Sequence, residues 1–267
     1  MMTLSYAKNG TAYTLSGPKG QPTLVLIHGL GLDRQTWRHY QPVLEARYQV
    51  VNLDLFGHGQ SRLPPQTPSL TLFSEQILSL LNELNIECSI LIGFSLGGMI
   101  NRRFALDHPD RLSGLVILNS PHERGKDAQK LVEQRAAQTA AAGPSANIEQ
   151  TLARWFTAEF RERHSEVVNE IRQRVLSNDT ASYAQCRQVL ANGVLELIRP
   201  KTPISAPALV MTCEHDSGST PQMSVSIADE MTNATVEIVP VLQHMGLVED
   251  PDRFLASILR FLTGLNI

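Results

Sequence analysis

Along the chain, short apolar runs alternate with longer stretches whose apolar positions recur every three or four residues. Thr23–His28, Gln49–Leu53, Cys88–Ile92 and Leu115–Asn119 are near-continuous apolar runs of strand length, as expected for strands covered on both faces. An earlier strand is predicted over Thr11–Ser16, ahead of the turn Gly17-Pro18-Lys19-Gly20. Trp37–Ala46, Leu70–Asn85 and Leu96–Asp107 read as helices. In the second of these, Leu72, Phe73, Ile77, Leu80, Leu81 and Leu84 recur at helical spacing, and the third stops before Pro109. Strand–helix alternation of this kind builds an α/β fold, with a mostly parallel sheet flanked by helices.

The pattern changes after Leu115–Asn119. Residues 122–200 contain no strand-like run. Lys126–Ala142 predicts a helix ended by Gly143-Pro144, and Asn147–Phe160, Ser165–Leu176 and Thr180–Asn192 predict three more. Strand signals resume at Ala208–Cys213 and Thr235–Val239, followed by helices over Met223–Met231 and Pro251–Leu262. Strands on both sides of a helical block imply an insertion into one domain. The expected division is a core of residues 1–121 and 201–267 with a helical cap, or lid, over 122–200. Two independent domains fit less well, because Ala208–Ile267 holds too few strands to fold alone. The cap is expected over the C-terminal strand ends, where open α/β sheets bind ligands.

Composition narrows the class. With 267 residues, 42% hydrophobic and 18% charged, the chain can bury a large core and reads as a soluble globular protein. Lys and Arg number 23 against 26 Asp and Glu, so the net charge of −3 gives no pull toward nucleic acid or a membrane surface. No secretory leader is read in Met1–Gly10, and no apolar run is long enough to span a bilayer. Cys88, Cys186 and Cys213 are too few and too scattered for a disulfide framework, so a cytoplasmic location is expected. Neither C-x-x-C nor H-E-x-x-H occurs, so no metal is expected. The oligomeric state is left open.

The chemistry centres on Leu91-Ile92-Gly93-Phe94-Ser95-Leu96-Gly97-Gly98, an apolar run followed by G-x-S-x-G and a helix. Strand, sharp turn and helix is the context in which this motif marks a nucleophilic serine. A serine hydroxyl needs a base to take its proton and a third group to orient that base. In this context acid and histidine follow the serine in that order. Asp216 lies just past the strand Ala208–Cys213, and His244 lies in the loop after the last strand. Among the eight histidines, His28, His58, His122, His215 and His244 fall in loops after strands, but only His244 follows the last one. Ser95 is therefore expected as nucleophile, His244 as general base and acid, and Asp216 as the group that orients His244. Glu214, Asp54 and Glu123 are the competing acids. The oxyanion formed at the attacked carbonyl needs backbone donors, expected to be the N–H groups of Leu96 and of Leu30 in His28-Gly29-Leu30-Gly31.

These pieces together resemble the α/β-hydrolase superfamily over nearly the whole chain. The matching residues are His28-Gly29, Asp54-x-x-Gly57-x-Gly59-x-Ser61, Gly93-x-Ser95-x-Gly97-Gly98, Asp216 with Thr220-Pro221, and His244. Within the cap, Ala153–Arg161 and Ala181–Cys186 are similar to 3-oxoadipate enol-lactonases. That resemblance implies hydrolysis of a small anionic enol-lactone without a cofactor. The chain departs from those enzymes in having the His28-Gly29 pair and one extra residue between Asp216 and Thr220-Pro221. The expected function is thus a serine esterase or lactonase acting on a small molecule. Alternatives are the same triad applied to a C–C bond, an amide or perhydrolysis, and a hydrolase-fold receptor that does not turn its ligand over.

His28, Trp155 and Phe156 are candidates to line the substrate pocket. Trp155 and Phe156 point apart on a helix, so one can face the pocket while the other packs the cap, or both can be cap core. The cap also carries Arg135, Arg154, Arg161, Arg163, Arg172, Arg174 and Arg187. A carboxylate substrate could use one of these, and the sequence does not say which.

Overall fold

Eight strands form one sheet in the computed structural model, which describes residues 3–265. Residues 1–2 and 266–267 of the expected core lie outside the described residues. The strands are β1 (Ser5–Tyr6), β2 (Ala12–Ser16), β3 (Thr23–Ile27), β4 (Gln49–Leu53), β5 (Ser89–Phe94), β6 (Leu112–Leu118), β7 (Ala208–Cys213) and β8 (Ala234–Val239). Their order is β1-β2-β4-β3-β5-β6-β7-β8, with β1 and β2 antiparallel and β3 to β8 parallel. Every residue of β3, β5 and β7 is buried, which explains their unbroken apolar runs.

The helices are α1 (Gln41–Leu44), α2 (Leu70–Glu83), α3 (Leu96–Asp107), α4 (Lys126–Ala142), α5 (Ile148–Trp155), α6 (Ala158–Arg163), α7 (Ser165–Leu176), α8 (Thr180–Asn192), α9 (Pro221–Asp229), α10 (Gly246–Glu249) and α11 (Pro251–Gly264). The result is a mostly parallel sheet with flanking helices. Helices α4 to α8 all fall between β6 and β7. They meet the loops that leave the C-terminal ends of β3 and β8. Asn178 Nδ2 donates to the Gly31 carbonyl at 3.0 Å, and Met245 N–H donates to the Trp155 carbonyl at 2.8 Å. Among the described residues no helix is long and apolar enough to cross a membrane.

Three differences from the sequence expectations have local causes. The helix expected over Trp37–Ala46 is a 3-10 turn (Arg34–Trp37) followed by the short α1, with Pro42 in the first turn of α1. Pro42 has no N–H to continue a helix from Trp37, and its ring clashes with the preceding turn. The helix expected over Asn147–Phe160 divides into α5 and α6. Thr157 caps α6 by accepting from Phe160 N–H, while its own N–H and hydroxyl bind the Glu249 carboxylate at 2.8 and 2.6 Å. That carboxylate comes from α10, an element the sequence reading did not contain; nor did it contain β1.

Candidate active site

Ser95 sits in the turn between β5 and α3 with φ 55° and ψ −111°. A non-glycine residue in such a conformation costs about 1–3 kcal/mol and persists only where its surroundings hold it. Here they do. Ser95 N–H donates to the Leu118 carbonyl of β6 at 2.8 Å, and the Ser95 carbonyl accepts from Gly98 N–H at 3.0 Å. A side chain on Gly93 would run into the Gly97 carbonyl, and one on Gly97 would run into the Ile27 carbonyl of β3. The two glycines of G-x-S-x-G thus let β3, β5 and α3 close around the turn.

His244, in the loop after β8, meets Ser95 across this turn. Its Nε2 lies 3.1 Å from Ser95 Oγ, and its Nδ1 lies 2.7 Å from Asp216 Oδ2. A carboxylate can only accept, so Nδ1 carries the proton and Nε2 is free to accept from the hydroxyl. The ring lies against Phe94 and Trp155, with centroids 5.0 and 6.0 Å away. Asp216 is 2% exposed and fully bonded. Its Oδ1 accepts from Gly218 and Ser219 N–H at 2.9 Å each, and Oδ2 also accepts from Asn119 Nδ2 at 2.9 Å. Burial pushes this carboxyl's pKa up. The charge and hydrogen bond of His244, with the bonds from Asn119 and Ser219, outweigh burial and hold it below the usual value.

The competing acids face elsewhere. Asp54 is tied to Arg34 and to Gln60 N–H, Glu214 accepts from Val241 N–H, and Glu123 pairs with Arg199. Leu30 and Leu96 both flank Ser95. A side chain on Gly29 would stand 3.3 Å from the Ser95 Cβ, which shows how near the Leu30 loop runs. Among the described residues neither the Leu30 nor the Leu96 N–H has an acceptor within the chain, and the latter begins a helix whose dipole favours an anion.

A cavity of about 140 Å³ opens beside Ser95 and His244. Its wall includes Gly29, Leu30, Trp155, Asp216 and four arginines, Arg124, Arg135, Arg154 and Arg187. Of the cap arginines singled out by sequence, Arg163, Arg172 and Arg174 instead pair with Glu159, Glu149 and Glu170. Two pocket candidates are corrected. His28 is fully buried and does not line the cavity: its Nε2 accepts from Leu55 N–H at 3.0 Å and its Nδ1 donates to the Gly29 carbonyl at 2.8 Å. It ties together the loops after β3 and β4. Phe156 is also fully buried, its ring stacked on Phe160 with centroids 5.3 Å apart. It packs α5 against α6, while Trp155 faces the cavity.

Asn119 and Arg124 were missed by sequence reasoning. Asn119 follows β6 with φ 46° and no exposure, and an asparagine in the left-handed region directly after a strand is the signal that could have found it. Among the described residues no group of three or more His, Cys, Asp or Glu is arranged to hold a metal ion.

The family model described as alpha/beta hydrolase fold matches residues 22–251. The chain is 29% identical over 252 residues to (E)-2-((N-methylformamido)methylene)succinate hydrolase of Acinetobacter baylyi, with 94% of each chain covered. It is 27% identical over 244 residues to 3-oxoadipate enol-lactonase 2 of the same organism, covering 91% of this chain and 89% of that one. The solved enol-lactonase of Burkholderia xenovorans LB400 superposes with a TM-score of 0.88 at 28% identity, covering 98% of this chain and 100% of that one.

Proposed function

Because the chain belongs to the α/β-hydrolase family, we propose that it is a serine hydrolase cleaving a small carboxylic ester or lactone through an acyl-enzyme on Ser95. One observation carries this reading: Ser95 Oγ, His244 and Asp216 form a continuous hydrogen-bonded chain with contacts of 3.1 and 2.7 Å. The similarity to two enol-lactonases supports the choice of ester or lactone over other acyl bonds.

In this reading His244 Nε2 takes the Ser95 proton as Oγ adds to the carbonyl carbon. The oxyanion is held by the Leu30 and Leu96 N–H groups. His244 then returns the proton to the leaving oxygen as the acyl bond to it breaks. Water, deprotonated by His244, adds to the acyl carbon, and Ser95 leaves with the proton. Asp216 keeps Nδ1 protonated and stabilises the imidazolium that forms in both halves. Residues 122–200 act as a lid over a core of 1–121 and 201–267, and Trp155 on the lid closes the pocket over His244. His28 and Phe156 have no substrate contact in this scheme.

The test is labelling by a fluorophosphonate, combined with a screen of short esters, aryl esters and lactones on wild type and Ser95→Ala. Stoichiometric labelling of the wild type is expected, with turnover falling by about 10⁴- to 10⁶-fold in the variant. Near-wild-type turnover by Ser95→Ala would sink the reading. An unlabelled but ligand-binding wild type would indicate a receptor, and turnover of amides or diketones in place of esters would move the triad to another bond.

A further inference from the structure

Four arginines line the cavity beside Ser95 from four separate elements. Arg124 comes from the segment after β6, Arg135 from α4, Arg154 from α5 and Arg187 from α8. No ion pair among the described residues includes any of them. The one carboxylate in the described cavity wall is Asp216, whose oxygens are already taken by His244, Asn119 and two backbone N–H groups.

These cations are gathered at a cost. Arg187 is only 8% exposed, and the Nε atoms of both Arg187 and Arg154 are buried without a hydrogen-bond partner. Burial, with the neighbouring charges of Arg135 and Arg187, brings the Arg154 pKa down to about 10. Burial and Arg187 do the same for Arg124, again to about 10. At about 10, Arg124 and Arg154 stay protonated at neutral pH, and with Arg135 and Arg187 they face one confined space. Such an arrangement is satisfied by an anion that enters it. One carboxylate has two oxygens and engages one fork fully, or two partly. Arg124 already donates to the Gln129 side chain and to the Leu190 and Ala191 carbonyls at 3.3 to 3.4 Å, but a single carboxylate would still leave part of the Arg135, Arg154 and Arg187 group uncompensated.

We infer that the substrate is a small ester or lactone that carries at least two further carboxylates, held by Arg124, Arg135, Arg154 and Arg187. This rests on the hydrolase reading for the bond that is cleaved, but not for the charge of the ligand. The remaining wall, which includes Leu131, Val132 and Leu190, suits a short hydrocarbon link between the charged groups.

The full chain is tested with three 4-nitrophenyl esters of matched leaving group: the neutral butyrate, the glutarate with one free carboxylate, and the tricarballylate with two. Wild type is expected to prefer the tricarballylate over the butyrate by at least about 100-fold in kcat/KM. That ratio should fall by about 10- to 100-fold in Arg154→Gln, Arg187→Gln or Arg135→Gln, each removing charged hydrogen bonds. Equal losses on all three esters in every variant, or no preference in wild type, would overturn the inference.

An equilibrium arm stands apart from turnover and from the folding of the arginine variants. Ser95→Ala is titrated calorimetrically with tricarballylate monomethyl ester, monomethyl glutarate and inorganic phosphate, the two esters keeping two free carboxylates and one. The tricarballylate ester should bind at least tenfold tighter than either of the others. Binding of monomethyl glutarate within tenfold means one carboxylate suffices, and binding of phosphate within tenfold means the cluster reads a phosphate; either result refutes the proposal. If Ser95 resists labelling while the tricarballylate ester binds, the hydrolase reading fails and the ligand class stands. If neutral esters turn over and the tricarballylate ester does not bind, the reverse holds.

Discussion

Asp216→Asn isolates the contribution of one proton position. In the folded chain every partner of this carboxylate is a donor: Gly218 and Ser219 N–H on Oδ1, Asn119 Nδ2 and His244 Nδ1 on Oδ2, at 2.7 to 2.9 Å. An asparagine has one acceptor oxygen. If it faces the two backbone N–H groups, its NH₂ points at Asn119 and at His244 Nδ1. The imidazole can accept that donor only by moving its own proton to Nε2. Nε2, 3.1 Å from Ser95 Oγ, then has no lone pair for the serine proton. Side-chain volume is unchanged and Asp216 does not bind the acyl group in this scheme, so the loss falls on kcat rather than on KM, with a smaller stability loss where the amide faces Asn119 Nδ2. A tautomer change of this kind lowers kcat by about 10⁴-fold, or about 5 kcal/mol in the barrier.

The assay is turnover of a short nitrophenyl ester across pH 5–9, with urea unfolding as the control. No recovery is expected up to pH 9, because a neutral imidazole does not give up its remaining N–H proton in that range. Glu214→Gln and Glu123→Gln serve as comparisons. Both side chains face away from His244 and should stay within about twofold of wild type, as surface changes do. Retention of a tenth or more of wild-type kcat by Asp216→Asn would refute the reasoning. A large loss in Glu214→Gln would move the role to that residue.

Two further outcomes follow from buried groups. Burial holds the pKa of His28 at about 4 and that of His58 at about 3, against an ordinary value of 6.5, so both are neutral in the folded chain. Below pH 6.5 the unfolded chain takes up protons that the folded chain refuses, so stability falls with falling pH, and His28 alone removes roughly 3 kcal/mol by pH 4. Urea midpoints at pH 7.5 and 4.5 measure the drop, which His58→Asn should reduce; a midpoint independent of pH over this range would contradict it. Phe156→Ala should destabilise by about 3–5 kcal/mol, because the ring is fully buried and stacked on Phe160. Trp155→Ala should instead raise KM for aryl esters, and an unchanged urea midpoint in Phe156→Ala would show that the ring is not core.

Much of the fold was legible because its signals are local. Apolar runs and helical spacing are carried by neighbouring residues, and α4, α7 and α8 begin and end where that spacing does. Local chemistry also explains the failures at Pro42 and Thr157, where a missing N–H and a capping hydroxyl interrupt helices that periodicity alone extends. The geometry of Ser95 belongs to the same class. Gly93 and Gly97 are required by crowding within one turn and by the neighbouring strand, so the motif itself announces the turn.

The partners of that turn are another matter. Ser95 and His244 stand 149 positions apart, and Asn119 and Asp216 stand 97 apart. Chain order was enough to nominate Ser95, Asp216 and His244, since each follows a strand of one parallel sheet and those strand ends share an edge. It could not turn Glu214 outward, point His28 into the core, or separate Trp155 from Phe156. Nor could it choose among the arginines, whose facing depends on how α4, α5 and α8 pack on one another and on the loop after β6. Periodicity and local sterics determine what a segment becomes. Only the packing of distant surfaces decides which side chains meet, and here it brings four arginines to the cavity beside Ser95.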